Sequence, residues 1–466
     1  PMLVLDYNSW PYSIALITIA LAVIFTDSTK VHDKSSSNTW AGSLAITAIG
    51  LMSIMAGNPL TMVLAWAFVD GVEIFIHFST QETNKHNHRI ILLYGIRLIS
   101  IILFIWATMV GWLESGNFDL DHIPTRAGIY FLLSAGLRLG VLPLNLPFLK
   151  ETGLKSRVGN LLRLAPVASG LSLIAHMPTN VISIRPYWLL PIQILITISA
   201  LYAASMWVYK ENDLEGRPYW IIAFSSLAIA SAINGNPEAS RAWGIALLLP
   251  GSLLFLFKPA IRRMRFLLIL GVFGIIALPL TPAASGWQGL ISGGLNFWNL
   301  LLIFAHALLV LGYIRHIISS GGAATGLESW SKIIYPLGLI FLFQTFIGIG
   351  LIGWPGVLTT TYWWGGVTSL GIILLILFII WRLHLKPPYL ILASDKPSTL
   401  IIQKVSRIFG RFLRLDWLYK VLWSTYELLS KISLRLVLVL EGEGGILWAL
   451  LFLVLLLSVL TLGGTS

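Results

Sequence analysis

The stretch LTMVLAWAFVDGVEIFIHF (60–78) decides the fold class of this protein. It is an apolar run long enough to form a helix across most of the roughly 30 Å hydrocarbon core of a lipid bilayer. Such runs recur, because 56% of the 466 residues are hydrophobic and 11% are charged, against roughly 25% charged in soluble domains. A chain of this composition has too few charged residues to form the surface of a water-soluble protein. The sequence therefore predicts an all-α, polytopic membrane protein.

Charged breaks and breaks rich in Pro, Gly or Asn divide the chain into about fourteen predicted transmembrane helices. A bilayer core needs about 20 apolar helical residues, and fewer where the flanking side chains reach the interface. The approximate limits of the predicted spans are 11–26, 40–56, 60–78, 90–112, 127–142, 160–176, 188–209, 219–234, 242–257, 266–280, 295–314, 333–353, 364–382 and 446–462.

The positions of the Lys and Arg residues predict the orientation of these spans. Of the 31 basic residues, 25 fall in the odd-numbered loops, 3 in the even-numbered loops and 3 inside spans. Cytoplasmic loops of membrane proteins carry an excess of Lys and Arg. We therefore expect a multi-pass protein of the plasma (inner) membrane, with both termini outside and the odd loops cytoplasmic. The net charge of +11 is then an orientation signal, and nucleic acid is not an expected partner.

Residues 383–445 differ from the rest of the chain because they are apolar yet basic. Lys404, Arg407, Arg411 and Arg414 are spaced three and four apart, which places them in one stripe on a helix. We predict a long amphipathic lateral helix along the cytoplasmic interface, before a final transmembrane helix. The helix is interpreted either as an anchor on anionic lipid or as a brace for neighbouring spans or subunits.

Ionisable residues inside predicted spans are expensive, so each is a hypothesis about a functional site. Asp70 and Glu73 lie one turn apart in span 3, and Arg97, Arg138 and Arg163 lie in spans 4, 5 and 6. Two acids and three arginines on consecutive helices predict a buried charge network. Its role is either structural ion pairing that fixes helix packing or a polar axis through which protons or sodium move.

Four histidines and Gln344 are weaker candidates for functional residues. His77, His86 and His88 surround the cytoplasmic end of span 3 and are interpreted as solvated rather than metal-bound. His306 lies alone in span 11 and Gln344 in span 12, so they are minor candidates for the ion pathway; a satisfied interior histidine is the other interpretation of His306. The chain has no Cys and shows no phosphate loop, nucleophile elbow or zinc motif, so no catalytic residue, metal site or cofactor is predicted.

Three stretches carry a resemblance to a known family: GLRLGVLPLNLPFL (136–149), SRVGNLLRLAPVASGLSLIAH (156–176) and DLEGRPYWIIAFSSLA (213–228). They resemble the antiporter-like membrane subunits of respiratory complex I (NADH-quinone oxidoreductase), membrane-bound hydrogenases and Mrp sodium/proton antiporters. An amphipathic helix followed by one last span, as in 400–462, is similar to the end of the distal complex I subunit.

The resemblance implies roles for particular residues. Setting Pro143 on the family proline places Arg138 at the position of the family's lysine, and Arg163 falls at a polar histidine position. The family pairs its lysine with an acid on an earlier helix, for which Asp70 is the first candidate and Glu73 the second. The family also carries a second, inverted half with ionisable groups that here fall near Gly251 and Trp287.

These departures predict a degenerate member of the family. An arginine holds its proton where a lysine can release it, so a continuous proton wire through this chain is not expected. Three functions stay open: an ion-translocating subunit of a complex I-like or Mrp-like assembly, a structural or docking subunit, and a partner in energy-coupled inorganic-carbon uptake. The expected partners are other membrane subunits, anionic lipid, and protons or sodium as ions. The predicted regions are 1–59, 60–209 (first half), 210–382 (second half), 383–445 (lateral helix) and 446–466.

Overall fold

The computed structural model describes most of residues 2–382 and a few residues beyond. The described ranges are 2–27, 36–80, 87–116, 119–142, 158–179, 186–210, 212–257, 265–276, 281–291, 296–319, 331–354, 363–382, 423–425, 427–428, 430–435, 450–451 and 453–454. Within these ranges the only β-structure is an isolated bridge between Leu3 and Ala56. The all-α class predicted from the sequence is therefore confirmed for this part of the chain.

Fourteen α-helices follow one another along the described part of the first 382 residues. They are α1 Trp10–Asp27, α2 Ser36–Ile54, α3 Pro59–Thr80, α4 Asn87–Ser115, α5 Thr125–Arg138, α6 Val158–Ala175, α7 Leu189–Tyr209, α8 Asp213–Ile233, α9 Pro237–Leu256, α10 Arg265–Ile275, α11 Ala283–Ile291, α12 Phe297–Ser319, α13 Ser331–Gly353 and α14 Trp364–Arg382.

The predicted spans from 11–26 to 364–382 all coincide with helices, whereas the short helix α11 was not predicted. By length and composition, 6 helices among the described residues could cross a membrane: α3, α4, α7, α9, α12 and α13. Shorter apolar segments lie in α1, α2, α6, α10 and α14. The total of about fourteen transmembrane helices stays a prediction, and most of span 446–462 lies outside the described residues.

Helix α5 ends earlier than the predicted span 127–142. Its last residue is Arg138, after which Gly140 adopts φ +75° and the N–H of Val141 turns back to the carbonyl of Gly136. A left-handed residue just past a helix end stops the helix, and glycine adopts that conformation without a steric penalty. Arg138 therefore lies in the last turn of α5, where the negative end of the helix dipole favours a cation.

Helices α8 and α9 begin earlier than predicted, because charged residues near their starts were taken for loop residues. Asn212 and Asn236 cap the two helices by accepting hydrogen bonds from the N–H groups of Leu214 and Ala239. Acidic residues occupy both first turns, as the helix dipole favours. The helices are joined through Gly235, whose φ is +77°, and an added Cβ there would lie 2.5 Å from the carbonyl oxygen of Thr179.

Loops that the orientation rule assigns to one side of the membrane contact one another. The N–H of Leu120, between α4 and α5, donates to the carbonyl of Gly57, between α2 and α3, over 2.9 Å. At the opposite ends of the helices, the hydroxyl of Tyr335 donates to the carbonyl of Leu256 over 2.8 Å. The second and fourth loops therefore meet, and the ends of α9 and α13 that adjoin odd loops contact each other. Which side faces the cytoplasm stays a prediction.

The core is arranged around α9, in which every residue from Ala239 to Leu256 is buried. It packs against α1, α6, α8, α10, α11 and α13. Helix α4 lies at the periphery, and its outward face is made of large apolar side chains, among them Leu98, Ile102 and Trp106, which are 55–59% exposed. Side chains are thus buried at the centre of the fold and apolar where they are exposed at its periphery. This distribution is expected for helices that are surrounded by lipid.

The chain divides into two compact units, Pro1–Ser394 and Asp395–Ser466. In the second unit the described residues within 423–435 are helical, and the indole N–H of Trp423 donates to the carboxylate of Glu427 one turn later over 2.9 Å. The basic stripe Lys404, Arg407, Arg411 and Arg414 lies outside the described residues, so the lateral helix stays a prediction.

Candidate functional site

The two acids of α3 lie on its buried face. Asp70 is 7% exposed and Glu73 is fully buried. Residues three apart on a helix share a face, so both carboxylates point toward the same neighbours. Burial of two carboxylates in an apolar surrounding is unfavourable unless each is paired with a cation and hydrogen-bonded. The neighbouring helices supply those cations.

Arg138 on α5 forms a bidentate ion pair with Asp70, in which both terminal guanidinium nitrogens donate to the carboxylate. Its Nη1 donates to Oδ2 over 3.0 Å and its Nη2 donates to Oδ1 over 2.8 Å. This two-pronged geometry is among the strongest pairings available to a carboxylate, because the planar guanidinium matches both oxygens. The structure thus brings together the acid and the arginine that the resemblance pairs.

Arg97 on α4 connects the two acids. Its Nη1 donates to Oδ1 of Asp70 over 3.0 Å and also contacts Oε2 of Glu73, while its Nη2 lies 3.3 Å from Oε1 of Glu73. Arg163 on α6 then lies 3.6 Å from Oε1 of Glu73. The five predicted residues therefore form one alternating chain of charges, in the order Arg138, Asp70, Arg97, Glu73 and Arg163.

Serine and tryptophan side chains hold this chain of charges in place. Ser100 on α4 and Ser134 on α5 each donate their hydroxyl to the other's carbonyl, over 2.9 and 2.7 Å. These bonds fix α4 against α5 within about one turn of Arg97 and Arg138. The guanidinium of Arg138 also lies 4.5 Å above the ring of Trp66, whose indole N–H donates to Ser169 on α6.

The arrangement limits the chemistry that this site can perform. Three guanidinium groups and two carboxylates leave a net charge of +1 when all are ionised. An arginine does not release its proton in a protein, so only the carboxylates can exchange a proton or coordinate a sodium ion. Each carboxylate touches two arginines, so uptake of a proton or a sodium ion by a carboxylate would weaken its ion pairs.

The second half has no ionisable side chain at the two positions that the resemblance singles out. A Cβ added to Gly251 on α9 would lie 2.5 Å from the indole nitrogen of Trp220, so the tryptophan occupies the space that a side chain there would need. Trp287 is itself fully buried, and its ring packs against Gly365. Large aromatic rings therefore fill the space around Gly251 and Gly365.

His306 belongs to this aromatic region. Its ring centroid lies 4.9 Å from that of Trp287 and 5.2 Å from that of Trp243. Nε2 lies 2.9 Å from the carbonyl oxygen of Ile275, and Nδ1 lies 2.8 Å from the hydroxyl of Ser369. A carbonyl only accepts, so Nε2 carries the proton and Nδ1 accepts from the serine in the neutral ring. Both nitrogens are thus satisfied.

Gln344 is not brought to His306. It lies on the exposed face of α13, whereas His306 is fully buried on α12. The side chains of His77 and His88, and all of His86, lie outside the described residues. The interpretation of these three histidines as solvated therefore stays a prediction.

Arg217 and Arg241 are among the described buried arginines that had been counted as loop charges in the sequence. Arg241, in the first turns of α9, is fully buried; its Nη1 donates to the carbonyl of Tyr7 over 2.7 Å, and its guanidinium lies 4.5 Å from the ring of Trp354. Arg217 on α8 is 1% exposed and its Nη1 lies 3.5 Å from Oδ1 of Asn160. The signal that could have found them is the Asn cap shortly before each.

Chains in three solved membrane complexes have a similar fold. A chain of the Mrp complex from Dietzia sp. DQ12-45-1b is 13% identical with a TM-score of 0.65, and the match covers 99% of this protein and 56% of that chain. A chain of the membrane-bound sulfane sulfur reductase, an archaeal respiratory membrane complex, is 14% identical with a TM-score of 0.68, covering 98% and 89%. A chain of respiratory complex I from Thermus thermophilus is 12% identical with a TM-score of 0.56, covering 76% and 86%.

The likeness to these structures lies in the fold. No protein-family profile and no curated protein sequence matches the chain significantly. The protein spans little more than half the length of the Mrp chain. The resemblance to antiporter-like membrane subunits, predicted from residues 136–176, is confirmed at the level of the fold. The fold is thus one that also occurs in chains of multi-subunit membrane complexes.

Proposed function

We propose that this protein is an antiporter-like subunit of a complex I-like or Mrp-like membrane assembly and takes part in proton or sodium translocation. The observation that carries the proposal is the alternating chain of five buried charges across α3, α4, α5 and α6. Buried charges of this number are costly in an apolar fold, and in membrane proteins they mark ion pathways. Two ionisable carboxylates supply the exchangeable groups.

The pathway is incomplete within this chain. The positions of the second half that would continue it carry Gly251 and Trp287, and tryptophan rings fill the surrounding space. The network lies instead behind α4, whose outward face is exposed and apolar. We infer that other membrane subunits complete the route, and that protons or sodium are the ions concerned. Any redox reaction would then belong to another subunit of the assembly.

The test uses the protein together with the subunits that co-purify with it from native membranes, reconstituted into liposomes. Asp70→Asn and Glu73→Gln should each lower proton or sodium flux by at least about 10-fold, because the exchangeable group is removed while the subunits stay assembled. The matched control is Glu215→Gln, since the side chain of Glu215 is 56% exposed. Unchanged flux in an intact assembly of either network variant would favour a structural or docking subunit.

The chain alone should behave differently from the assembly. In liposomes that contain only this protein, we expect no sodium-driven or voltage-driven pH change above empty controls, because positions 251 and 287 of its second half carry a glycine and a tryptophan in place of ionisable groups. A robust flux that Asp70→Asn abolishes would contradict the incomplete pathway and show that the chain translocates ions unaided.

A further inference from the structure

Three polar side chains from distant parts of the sequence meet outside the helices and apart from the charge network. Asp6 precedes α1, Asp121 lies between α4 and α5, and His176 follows α6 directly. Nε2 of His176 lies 2.6 Å from Oδ2 of Asp6 and 3.7 Å from Oδ1 of Asp121. One donor atom from each residue lies within 4.8 Å of the other two.

The hydrogen bonds of His176 determine what its second nitrogen can do. Nδ1 lies 2.7 Å from the carbonyl oxygen of Ser172, and because a carbonyl only accepts, Nδ1 carries the proton of the neutral ring. Nε2 then presents a lone pair to two carboxylates. Three acceptors in contact are satisfied either by a proton on Nε2 or by a metal ion that the three groups share. Histidines that bind metal ions are commonly oriented in this way, with the other ring nitrogen donating to a backbone carbonyl.

Asp6 is also pre-oriented. Its Oδ1 accepts from the backbone N–H of Ser9 over 2.7 Å, which leaves Oδ2 directed at His176. The carboxylates of Asp6 and Asp121 both face Nε2 of His176, so a cation at this place would offset the repulsion between the two acids.

We propose that Asp6, Asp121 and His176 bind one divalent transition-metal ion, with Zn²⁺ preferred. One imidazole and two carboxylates form a set of three protein ligands that suits Zn²⁺. Ligand bonds of about 2.1 Å place tetrahedral donors about 3.4 Å apart; the 3.7 Å from Nε2 to Asp121 is close to that value, whereas the 2.6 Å from Nε2 to Asp6 is a hydrogen-bond distance that metal binding would lengthen. Asp121 is the exposed member, with its side chain 37% accessible, so a fourth position is open to water.

The site would tie three segments together. The segment before α1, the loop between α4 and α5, and the end of α6 share no other ion pair among the described residues. Helix α6 carries Arg163, so a metal ion at its end would fix one member of the charge network from outside the membrane. The inference does not depend on ion translocation, because a metal site can exist whether or not the chain carries ions.

The experiment measures metal binding to the purified full-length protein, prepared without a histidine tag and treated with a chelator. Titration with Zn²⁺ should show one site per chain that also raises the thermal midpoint. Asp121→Asn should weaken binding by about 10- to 100-fold, the range seen even for groups that only orient a metal ligand. Co²⁺ in place of Zn²⁺ should give visible absorption that His176→Gln removes.

The matched controls are His122→Gln and Asp119→Asn, which change the same residue types within two positions of Asp121 and should leave binding unchanged. Asp121→Asn keeps the proposal testable if His176→Gln fails to fold, because Asp121 lies at the exposed edge. Absence of Zn²⁺ binding by the wild-type protein would overturn the proposal and leave an imidazolium held by two carboxylates. Binding that survives Asp121→Asn and Asp6→Asn would also overturn it.

Discussion

Single charged residues stand out in this sequence because apolar spans surround them. Composition and spacing were enough to name Asp70, Glu73, Arg97, Arg138 and Arg163 as one group. They could not give the order of contacts, because helical spacing defines a face and not the neighbour that packs against it. That Arg97 bridges both acids follows only from the structure. Arg217 and Arg241 escaped notice because a charge near a helix start looks the same in sequence whether it faces water or the core.

The order of contacts predicts an asymmetry at the Asp70–Arg138 pair. Asp70→Asn leaves Arg138 without its carboxylate, whereas after Arg138→Met the acid still holds Arg97 over 3.0 Å. Removing one partner of a buried pair costs on the order of 3–5 kcal/mol. We therefore expect Asp70→Asn to lower the thermal midpoint more than Arg138→Met does.

The double variant of Asp70→Asn with Arg138→Met provides the control for this prediction. It should lose less stability than the sum of the two single losses, because the second change removes a charge already left unpaired. Thermal unfolding in detergent, followed by helical circular dichroism, measures all four proteins. Additive losses would contradict a direct pairing.

At the scale of helices, the existence of each element was easier to predict than its ends. Long apolar runs can only be helices in a bilayer, because no water satisfies their backbone groups. The ends depend on single residues such as Gly140 and Asn212, which stop or cap a helix locally. The short helix α11 lies in a stretch with too few apolar residues to resemble a span, so hydropathy did not reveal it.

The contact between α8 and α9 gives a prediction about close packing. Gly251→Ala should destabilise the protein by about 1–3 kcal/mol, because the new methyl group overlaps the ring of Trp220. The matched control is Gly348→Ala on α13, where an added Cβ meets nothing within 4 Å. That control should be neutral or stabilising, by up to about 1 kcal/mol from helix propensity. Equal thermal midpoints for the two variants would contradict the tight α8–α9 contact.

At the scale of the whole molecule, the charge pattern predicts a topology in which the even loops share one side, and the hydrogen bond from Leu120 to Gly57 joins two of those loops. The absence of cysteine in the sequence makes the sidedness testable. Single cysteines at positions 85, 155 and 263 should resist an impermeant thiol reagent in right-side-out vesicles, since these positions are predicted to be cytoplasmic. Cysteines at 119 and 238 should react. Reaction at 263 with protection at 119 would show that the span count is wrong.

The second compact unit can be removed to learn what it binds. Truncation after Ser394, the last residue of the first unit, should leave a membrane-inserted protein that no longer co-purifies with its complex. The comparison is a full-length variant with Arg407→Glu and Arg411→Glu, which should weaken binding to anionic vesicles by about 1 kcal/mol per residue. If the truncated chain retains all subunits, the second unit serves only as an interfacial anchor.

The buried position of α9 has a consequence for biogenesis. Of the helices around it, α1, α6 and α8 precede it in synthesis, whereas α10, α11 and α13 follow. When α9 leaves the insertion machinery, one flank therefore faces lipid or a chaperone until α13 arrives. Tyr7, whose carbonyl accepts from Arg241 in the folded protein, has been made by that moment, because it precedes α9 in the chain. The segment that contains Tyr7 is thus available to contact α9 first, and α10, α11 and α13 pack around α9 later.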